Sequence, residues 1–293
     1  MNQVGPLWSL LSLVVLVTVA CAPESDLDES IATPVTPAAA TSVPTSPHPT
    51  PASQNSSQED GVWRPSPGTN WQWQLTGDID TSFEVQMYDI DLFDASQEVI
   101  DQLHADGRVV ICYFSAGSWE DWRSDANQFT DAAKGEDNGW PGEKWLDIRK
   151  LDVLGPIMES RLDLAVQKGC DGVEPDNVGG YNSDTGFLLT YQDQLEYNIW
   201  LSEAAHRRHL SIGLKNDPDQ IGDLLPYFDW ALNEECFQYD ECEPFLAFVE
   251  AGKAVFGVEY TGDPQDFCPW ANAMNFDWLK KGLELDASRV ACR

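Results

Sequence analysis

The stretch GPIMESRLDLAVQKGCDGVEPDN (155–177) decides the fold. Its first part is helix-like as far as Lys168-Gly169, where a glycine closes the helix. A short strand-like run, Gly172–Glu174, follows almost at once and ends in the polar sequence Glu174-Pro175-Asp176-Asn177. A helix that leads into a short strand in this way is the repeating unit of a parallel sheet covered by helices.

The same unit recurs on both sides of this stretch. Helix-like stretches lie at Ser96–Asp106, Tyr191–Arg208 and Asp219–Leu225. The other strand-like runs are Phe83–Tyr88, Val109–Phe114, Trp145–Ile148, Leu210–Leu214, Trp230–Asn233 and Ala254–Tyr260, with an eighth at Phe276–Leu279. We therefore predict an α/β fold, a single (β/α)8 TIM-like barrel over residues 61–293, the size of one such domain.

Polar side chains follow most of the predicted strands. In a parallel barrel the catalytic groups sit at the carboxyl ends of the strands, so these side chains are expected to converge on one rim. They belong to Tyr88-Asp89-Ile90-Asp91, Tyr113-Phe114-Ser115, Glu174-Pro175-Asp176-Asn177, Leu214-Lys215-Asn216, Asn233-Glu234-Glu235 and Glu259-Tyr260.

Composition and motifs exclude several classes of protein. The chain has 49 acidic against 17 basic residues, a formal charge of −32, which argues against binding to nucleic acid or to anionic lipid. We find no H-E-x-x-H, C-x-x-C, G-x-S-x-G or P-loop motif, so we predict no metal and no cofactor. The acidity is explained either by solubility or by a cationic partner.

Several carboxylates with aromatic residues and no metal motif are typical of glycoside hydrolysis. One carboxylic acid protonates the leaving oxygen, and a second carboxylate acts as nucleophile or as base for water. Aromatic side chains stack on the sugars. Candidates for that role, if they are not core residues, are Trp63, Trp71, Trp73, Trp119, Trp122 and Trp140.

The motifs at these strand ends resemble the endo-α-1,4-polygalactosaminidase family, glycoside hydrolase family 114, in the wider group of TM1410-like barrels. The resemblance covers residues 70–292. It implies a TIM-like barrel that acts on α-1,4-linked galactosamine polymers, which are cationic where deacetylated. Its motifs here are Trp71-Gln72-Trp73-Gln74-Leu75, Tyr113-Phe114-Ser115-Ala116-Gly117, Asp171-Gly172-Val173-Glu174-Pro175-Asp176-Asn177, Gly213-Leu214-Lys215-Asn216, Glu234-Glu235-Cys236-Phe237 and Gly252-Lys253-Ala254-Val255-Phe256.

The resemblance implies that Asp176 and Glu234 form the catalytic pair. Glu174 competes with Asp176, because residues two apart on a strand share a face. Glu235 lies where the family often carries Gln, which favours Glu234. The substrate contacts that the resemblance implies are Asp89, Tyr113, Lys215, Asn216 and Tyr260, although Lys215 is equally explained as a partner of Glu174 or Asp176. We place Glu174 among the substrate-binding residues as well.

Two alternatives to this function stay open. In the first alternative, the barrel binds amino-sugar polysaccharides without cleaving them. In the second, it hydrolyses another α-linked amino-sugar exopolysaccharide. Whether the anomeric configuration is retained or inverted depends on the separation of the carboxyls, which the sequence does not give.

The first 60 residues are expected to export and tether the domain. Residues 7–20 are an apolar run of signal-peptide type, and Val19-Ala20-Cys21 resembles a bacterial lipobox, so residues 1–21 are read as a signal peptide with Cys21 as the lipidated residue. Residues 22–60 form a Pro/Thr/Ser-rich disordered linker. We expect an extracellular or cell-surface bacterial monomer that meets the membrane through its lipid anchor alone.

Six further cysteines favour disulfides in an exported domain. Cys236 and Cys242 flank a short loop after Glu234, so we pair them. Cys268 and Cys292 follow the last two predicted strands and are paired next. For Cys112 and Cys170, a third bridge and two buried thiols both stay open.

Overall fold

The computed structural model describes residues 61–293, and eight parallel strands within this range form one curved sheet. This confirms the predicted TIM-like barrel. The sheet order is β1-β2-β3-β7-β8-β9-β10-β11, and a short strand β12 adds antiparallel to β11. The strands are β1 Trp71–Gln74, β2 Met87–Asp91, β3 Val109–Ser115, β7 Gly172–Asp176, β8 Ser211–Lys215, β9 Trp230–Glu234, β10 Val255–Glu259, β11 Asp277–Lys280 and β12 Val290–Ala291.

Helices pack against this sheet along its length. The N-cap of the first helix is Ser96, whose side chain accepts from the amide of Val99, and the longest helix ends at Gly169 in the left-handed conformation. The helices are α1 Gln97–Ala105, α2 Leu151–Lys168, α3 Tyr191–His206, α4 Ile221–Leu224, α5 Cys236–Tyr239, α6 Leu246–Glu250 and α7 Pro264–Ala273. None of these helices of residues 61–293 is long and apolar enough to cross a membrane.

Two hydrophobic cores hold the barrel together. One lies between strands and helices, and the other lies among the strands themselves, where Trp71, Trp73, Trp230 and Phe256 pack together. The centroids of the Trp71 and Phe256 rings are 4.9 Å apart, and those of Trp230 and Phe256 are 5.5 Å apart. Large aromatic side chains therefore fill the interior between the strands, as in a packed barrel core.

One predicted barrel strand was wrong and one was missed. The run Trp145–Ile148 lies outside the barrel, because Trp145 and Leu146 belong to β6, Glu143–Leu146, in a separate antiparallel sheet. The first barrel strand is instead Trp71–Gln74, whose alternation is hidden because Gln72 and Gln74 are buried like the two tryptophans. The total of eight parallel strands is unchanged.

A small three-stranded sheet interrupts the barrel after β3. It contains β4 Ser118–Glu120, β5 Lys134–Asp137 and β6, in the order β4-β6-β5. The chain enters it through Gly117, where a Cβ atom would lie 1.7 Å from the carbonyl oxygen of Asn177. Only glycine permits so close a backbone approach, so Gly117 holds this sheet against the end of β7.

The seam between the first and last parallel strands is closed by the C-terminal segment 282–291. Within residues 61–293, no strand ladder joins β1 to β11. The amides of Leu75 and Thr76 donate instead to the carbonyl oxygen of Leu285, at 2.9 and 3.3 Å, and Gln72 Nε2 donates to the carbonyl oxygen of Ala287 at 2.9 Å. Side chains and an irregular segment thus complete the barrel.

Three disulfides cross-link the described residues. Cys236–Cys242 and Cys268–Cys292 are paired as predicted, and Cys112 and Cys170 form a third bridge between β3 and the start of β7. The bonded cysteines are 6 residues apart in Cys236–Cys242, 24 residues apart in Cys268–Cys292 and 58 residues apart in Cys112–Cys170.

The disulfide with the longest loop should stabilise the domain most. In the chain-entropy model a loop of this length contributes about 4 kcal/mol, against about 2 kcal/mol for the Cys236–Cys242 loop. We expect the double variant Cys112→Ala/Cys170→Ala to lose more free energy of unfolding than Cys236→Ala/Cys242→Ala, as measured by chemical denaturation. An equal or smaller loss would contradict this ranking.

Candidate active site

A cleft of about 570 Å³ opens at the carboxyl ends of the parallel strands. Its walls come from β1, from the small sheet, from the loops after β7 and β8, and from the closing segment. The residues that line it include Trp73, Tyr113, Trp140, Glu143, Trp145, Asp176, Asn177, Lys215, Asn216, Asp217, Asp219, Glu234, Glu241, Tyr260, Leu283, Glu284 and Leu285.

Three neighbouring strands each end in a charged residue of the site. These residues are Asp176 on β7, Lys215 on β8 and Glu234 on β9. The next residue is left-handed in every case: φ is 62° at Asn177, 52° at Asn216 and 64° at Glu235. Non-glycine residues with this backbone are uncommon and cluster at functional sites, and here they end the strands beside the cleft.

Lys215 lies at the centre of the site. Its Nζ is 2.8 Å from Glu174 Oε1, 3.2 Å from Asp176 Oδ1 and 3.2 Å from Glu234 Oε2. Its side chain is only 2% exposed. Burial acts to lower the pKa of Lys215, but the carboxylates of Asp176, Glu174 and Glu234 outweigh it and hold the pKa well above the ordinary value. Lys215 is therefore a permanent cation among three carboxylates.

Asp176 and Glu234 are held by neutral donors as well as by Lys215. The Tyr113 hydroxyl and the Asn177 amide donate to Asp176, at 2.9 and 2.7 Å. On the other side, Asn216 Nδ2 donates to Glu234 Oε2 at 3.2 Å, and the Tyr260 hydroxyl donates to Glu234 Oε1. Burial and the nearby carboxylates raise the pKa of both phenols, so they remain protonated donors.

Two of the predicted substrate contacts do not reach the cleft. Glu174 and Asp89 have no exposed surface, whereas the side chains of Asp176 and Glu234 are 19% and 26% exposed. Glu174 points the same way as Asp176 but lies one layer deeper in the barrel, and this depth corrects the expectation that it contacts substrate. The other predicted contacts, Tyr113, Lys215, Asn216 and Tyr260, all line the cleft.

The buried carboxyls form a layer beneath the catalytic candidates. Burial raises the pKa of Glu174 to about 7, against the opposing effect of Lys215. Burial and the neighbouring Glu174 hold the pKa of Asp89 well above its ordinary value. Of these two buried carboxyls, Glu174 contacts Lys215 directly, with its Oε1 2.8 Å from Nζ, and supports it from below.

Sequence reasoning did not foresee the hydrogen bonds by which several residues hold this arrangement. Trp73 Nε1 donates to Glu174 Oε2 at 3.0 Å, so the interior tryptophan of β1 orients the buried carboxylate. Asn177 Nδ2 donates to Ser115 Oγ at 3.0 Å, and Ser118 Oγ donates to Glu143 Oε2 at 2.7 Å, which links the end of β7 to the small sheet. Asn177 stood in a quoted motif, but its role depends on contacts that no spacing reveals.

The chemistry available in the cleft is that of a carboxyl pair. Within residues 61–293, no group of His, Cys, Asp or Glu side chains has the arrangement of a metal site. Two partly exposed carboxyls face one cleft, and Lys215 and two phenols surround them. This set can stabilise one carboxylate as an anion while the other transfers a proton, as glycosyl transfer to water requires.

Comparison with known proteins gives two informative similarities. The sequence profile of the glycoside-hydrolase family GH114 matches residues 52–293. The crystal structure of Aspergillus fumigatus Ega3 in complex with galactosamine is 42% identical, covers 78% of this chain and 97% of that chain, and has a TM-score of 0.75. The glycoside hydrolase domain of PelA from Pseudomonas aeruginosa, 11% identical over 76% of this chain and 97% of its own with a TM-score of 0.59, shows the fold alone. A search of curated protein sequences gave no match.

Proposed function

Because this chain belongs to glycoside-hydrolase family GH114, and is therefore a glycoside hydrolase, we propose that it cleaves an α-1,4-linked galactosamine-containing polysaccharide at internal bonds. Asp176 and Glu234 are its catalytic pair. The observation that carries this proposal is the placement of both carboxyls in one cleft, each 3.2 Å from the same Lys215 ammonium.

The charge of the cleft supports a cationic substrate. Besides the catalytic pair, five acidic residues line its walls: Glu143, Asp217, Asp219, Glu241 and Glu284. Within residues 61–293, Lys215 is the only basic residue that lines the cleft. Such a field concentrates a polycation at the site. The related Ega3 was solved with galactosamine, an amino sugar that is cationic at neutral pH.

In the proposed reaction Asp176 is the nucleophile. Its two oxygens accept from Tyr113, the Asn177 amide and Lys215, and these donors hold the carboxyl in one orientation in the cleft. Asp176 attacks the anomeric carbon and forms a covalent glycosyl ester. Glu234, the more exposed carboxyl, gives its proton to the leaving glycosidic oxygen and then takes a proton from the water that hydrolyses the ester.

The distance between the two carboxyls favours retention of configuration. Asp176 Oδ1 and Glu234 Oε2 both lie 3.2 Å from Lys215 Nζ, so these oxygens are separated by at most twice that distance. A limit of this size on one pair of oxygens accommodates the separation of about 5–5.5 Å between the carboxyls of retaining enzymes.

The first product of cleavage should therefore have the α configuration at its new reducing end. Proton NMR of the anomeric signals during the first minutes of hydrolysis measures it, before mutarotation mixes the anomers. A β-anomer as first product would exclude the covalent mechanism. Azide added to Glu234→Ala should restore turnover with an α-glycosyl azide as product, and added to Asp176→Ala it should give the β-azide; the reverse pattern would exchange the two roles.

The same proposal includes export and anchoring. The apolar run 7–20 and the lipobox-like Cys21 support a cell-surface or extracellular monomer, and residues 22–60 would serve as its linker. Both segments lie outside the described residues. Three disulfides in the described domain support an oxidising compartment.

The test of the proposed function uses purified protein and galactosaminan of two kinds, deacetylated and fully acetylated. We expect the deacetylated polymer to shorten rapidly into oligomers, as followed by size-exclusion chromatography, with few monosaccharides at early times. Release of monosaccharide alone would contradict internal cleavage. Stability of both polymers, with turnover of another α-linked amino-sugar polymer, would contradict the substrate.

A further inference from the structure

A second cavity, of about 800 Å³, lies beside the catalytic cleft and contains none of its catalytic groups. It is bounded by residues 236–246 on one side and by α7 on the other. Four carboxylates line it, those of Asp240, Glu243, Glu259 and Asp266, and within residues 61–293 no Lys, Arg or His does. The cavity is thus uniformly acidic, and its electrostatic complement is a cation.

Aromatic side chains supply the rest of this cavity. Trp270 on α7 is 62% exposed, which is unusual for an indole on a surface helix, and it lines the cavity together with Phe237 and Phe267. The rings of Phe237 and Phe267 stack with their centroids 6.3 Å apart, and Phe237 also meets Trp278 edge to face at 5.3 Å. An exposed aromatic ring can stack on the C–H groups of a ligand, and the surrounding carboxylates can pair with its positive charge.

The wall of the cavity is rigid. The Cys236–Cys242 disulfide closes it, and left-handed residues stand on both sides of α5, with φ of 64° at Glu235 and 57° at Asp240. The buried carboxylate of Glu259 accepts from the amide of Phe237 at 3.1 Å and fixes the start of that helix. The cavity is therefore formed before any ligand arrives, which lowers the entropic cost of binding.

The cavity and the catalytic cleft share a wall. Glu234 and Tyr260 face the cleft, whereas Cys236 and Thr261, one or two residues further along the same chain segments, face the second cavity. Thr261 Oγ1 is hydrogen-bonded to Gln238 and joins the two segments there. The two cavities therefore lie against the same two chain segments.

We propose that this cavity is a non-catalytic binding site for a cationic amino-sugar segment of the same polysaccharide chain. The indole of Trp270 stacks on the C–H face of a sugar residue, and Asp240, Glu243 and Asp266 pair with the ammonium groups of deacetylated residues. The inference rests on the proposed function for its substrate class, and its role is to hold a long polymer while Asp176 and Glu234 cleave a bond in the cleft.

The test compares a long polymer with an oligomer too short to span both sites. Trp270→Ala is expected to raise the half-saturating concentration of deacetylated galactosaminan about tenfold and to leave cleavage of a galactosamine tetramer within about twofold of wild type. Trp122→Ala is the matched control, because Trp122 is also more than half exposed, at 51%, and the structure places this former stacking candidate in neither cavity. Equal losses on polymer and tetramer, or no loss on the polymer, would overturn the site.

A binding measurement separates this inference from the proposed function. Long deacetylated galactosamine oligomers are titrated into Glu234→Gln and into Glu234→Gln/Trp270→Ala, so that no ligand is cleaved. About tenfold weaker binding by the double variant supports the site, even if the wild type fails to cleave galactosaminan and the proposed function falls. Equal affinities of the two variants overturn the site, whatever the wild type cleaves.

Discussion

Asp176→Asn and Glu234→Gln are each expected to lower the turnover of galactosaminan by at least about 10²–10⁴-fold, the contribution typical of one acid–base group. Both changes keep the size of the side chain. The donors Tyr113 and Asn216 keep an oxygen to bond, so folding and binding of substrate should survive. Rates of new reducing ends, with circular dichroism as a check of folding, measure the effect.

Glu235→Gln is the control for these two variants. Glu235 follows Glu234 directly, but its chain turns through the left-handed conformation, and it does not line the cleft. Burial and the neighbouring Glu234 raise the pKa of Glu235, which shows that the two carboxyls interact through their charges. Because Glu235→Gln removes only this charge interaction, the variant should keep about a tenth or more of the rate. Near-normal rates for both Asp176→Asn and Glu234→Gln would exclude the mechanism proposed here.

Lys215→Met is expected to abolish most activity and also to lower the free energy of unfolding at pH 8 by about 3–5 kcal/mol, the typical cost of leaving one charge of a buried pair without its partner. The lost cation contacts Glu174, Asp176 and Glu234 at once. Chemical denaturation at pH 5 and pH 8 measures the effect on stability.

The loss of stability in Lys215→Met should depend on pH. In the wild type, burial raises the pKa of Glu174 to about 7, above the ordinary value of 4.5, so the folded state holds a proton that the unfolded state releases between these values. Stability therefore falls as pH rises through this window. Lys215 lowers the pKa of Glu174, so its removal extends the fall to higher pH, and the variant should be nearest to wild type at pH 5.

The double variant Lys215→Met/Glu174→Gln tests this explanation. Removing both charges should recover a large part of the stability lost at pH 8 but none of the activity, because Asp176 and Glu234 still lack their common cation. A loss of stability that is equal at pH 5 and pH 8, or that the second change does not reduce, would show that Glu174 is not the group responsible.

The strand ends were predictable from the sequence because parallel strands bring their carboxyl ends to one rim, whatever the details of the loops. Asp176, Lys215 and Glu234 therefore lie together as expected. Depth was not predictable in the same way. Glu174 and Asp89 also stand near strand ends, but a shift of two residues along a strand moves a side chain one layer down, from the cleft into the interior.

Other features depended on long-range packing. β1 was not predicted because its two glutamines are buried and do not alternate in polarity with buried and exposed positions. Gln72 bonds to the closing segment and Gln74 to the turn that follows β1. The sequence did not decide whether Cys112 and Cys170 are bonded, because the bond requires β3 to lie beside β7, with the small sheet inserted between them in the chain. The sequence shows the two cysteines, but only the strand order shows that they are neighbours.

The closing segment 282–291 sets different limits on how the two walls of the cleft can diverge during evolution. The wall that carries Trp140 belongs to the small inserted sheet, so substitutions and insertions there can change substrate preference without opening the barrel. Another wall carries Leu283 and Leu285, in the same segment that joins β1 to the end of the chain. Mutations there alter specificity and barrel closure together, so directed evolution toward other polysaccharides should accumulate its changes on the side of Trp140.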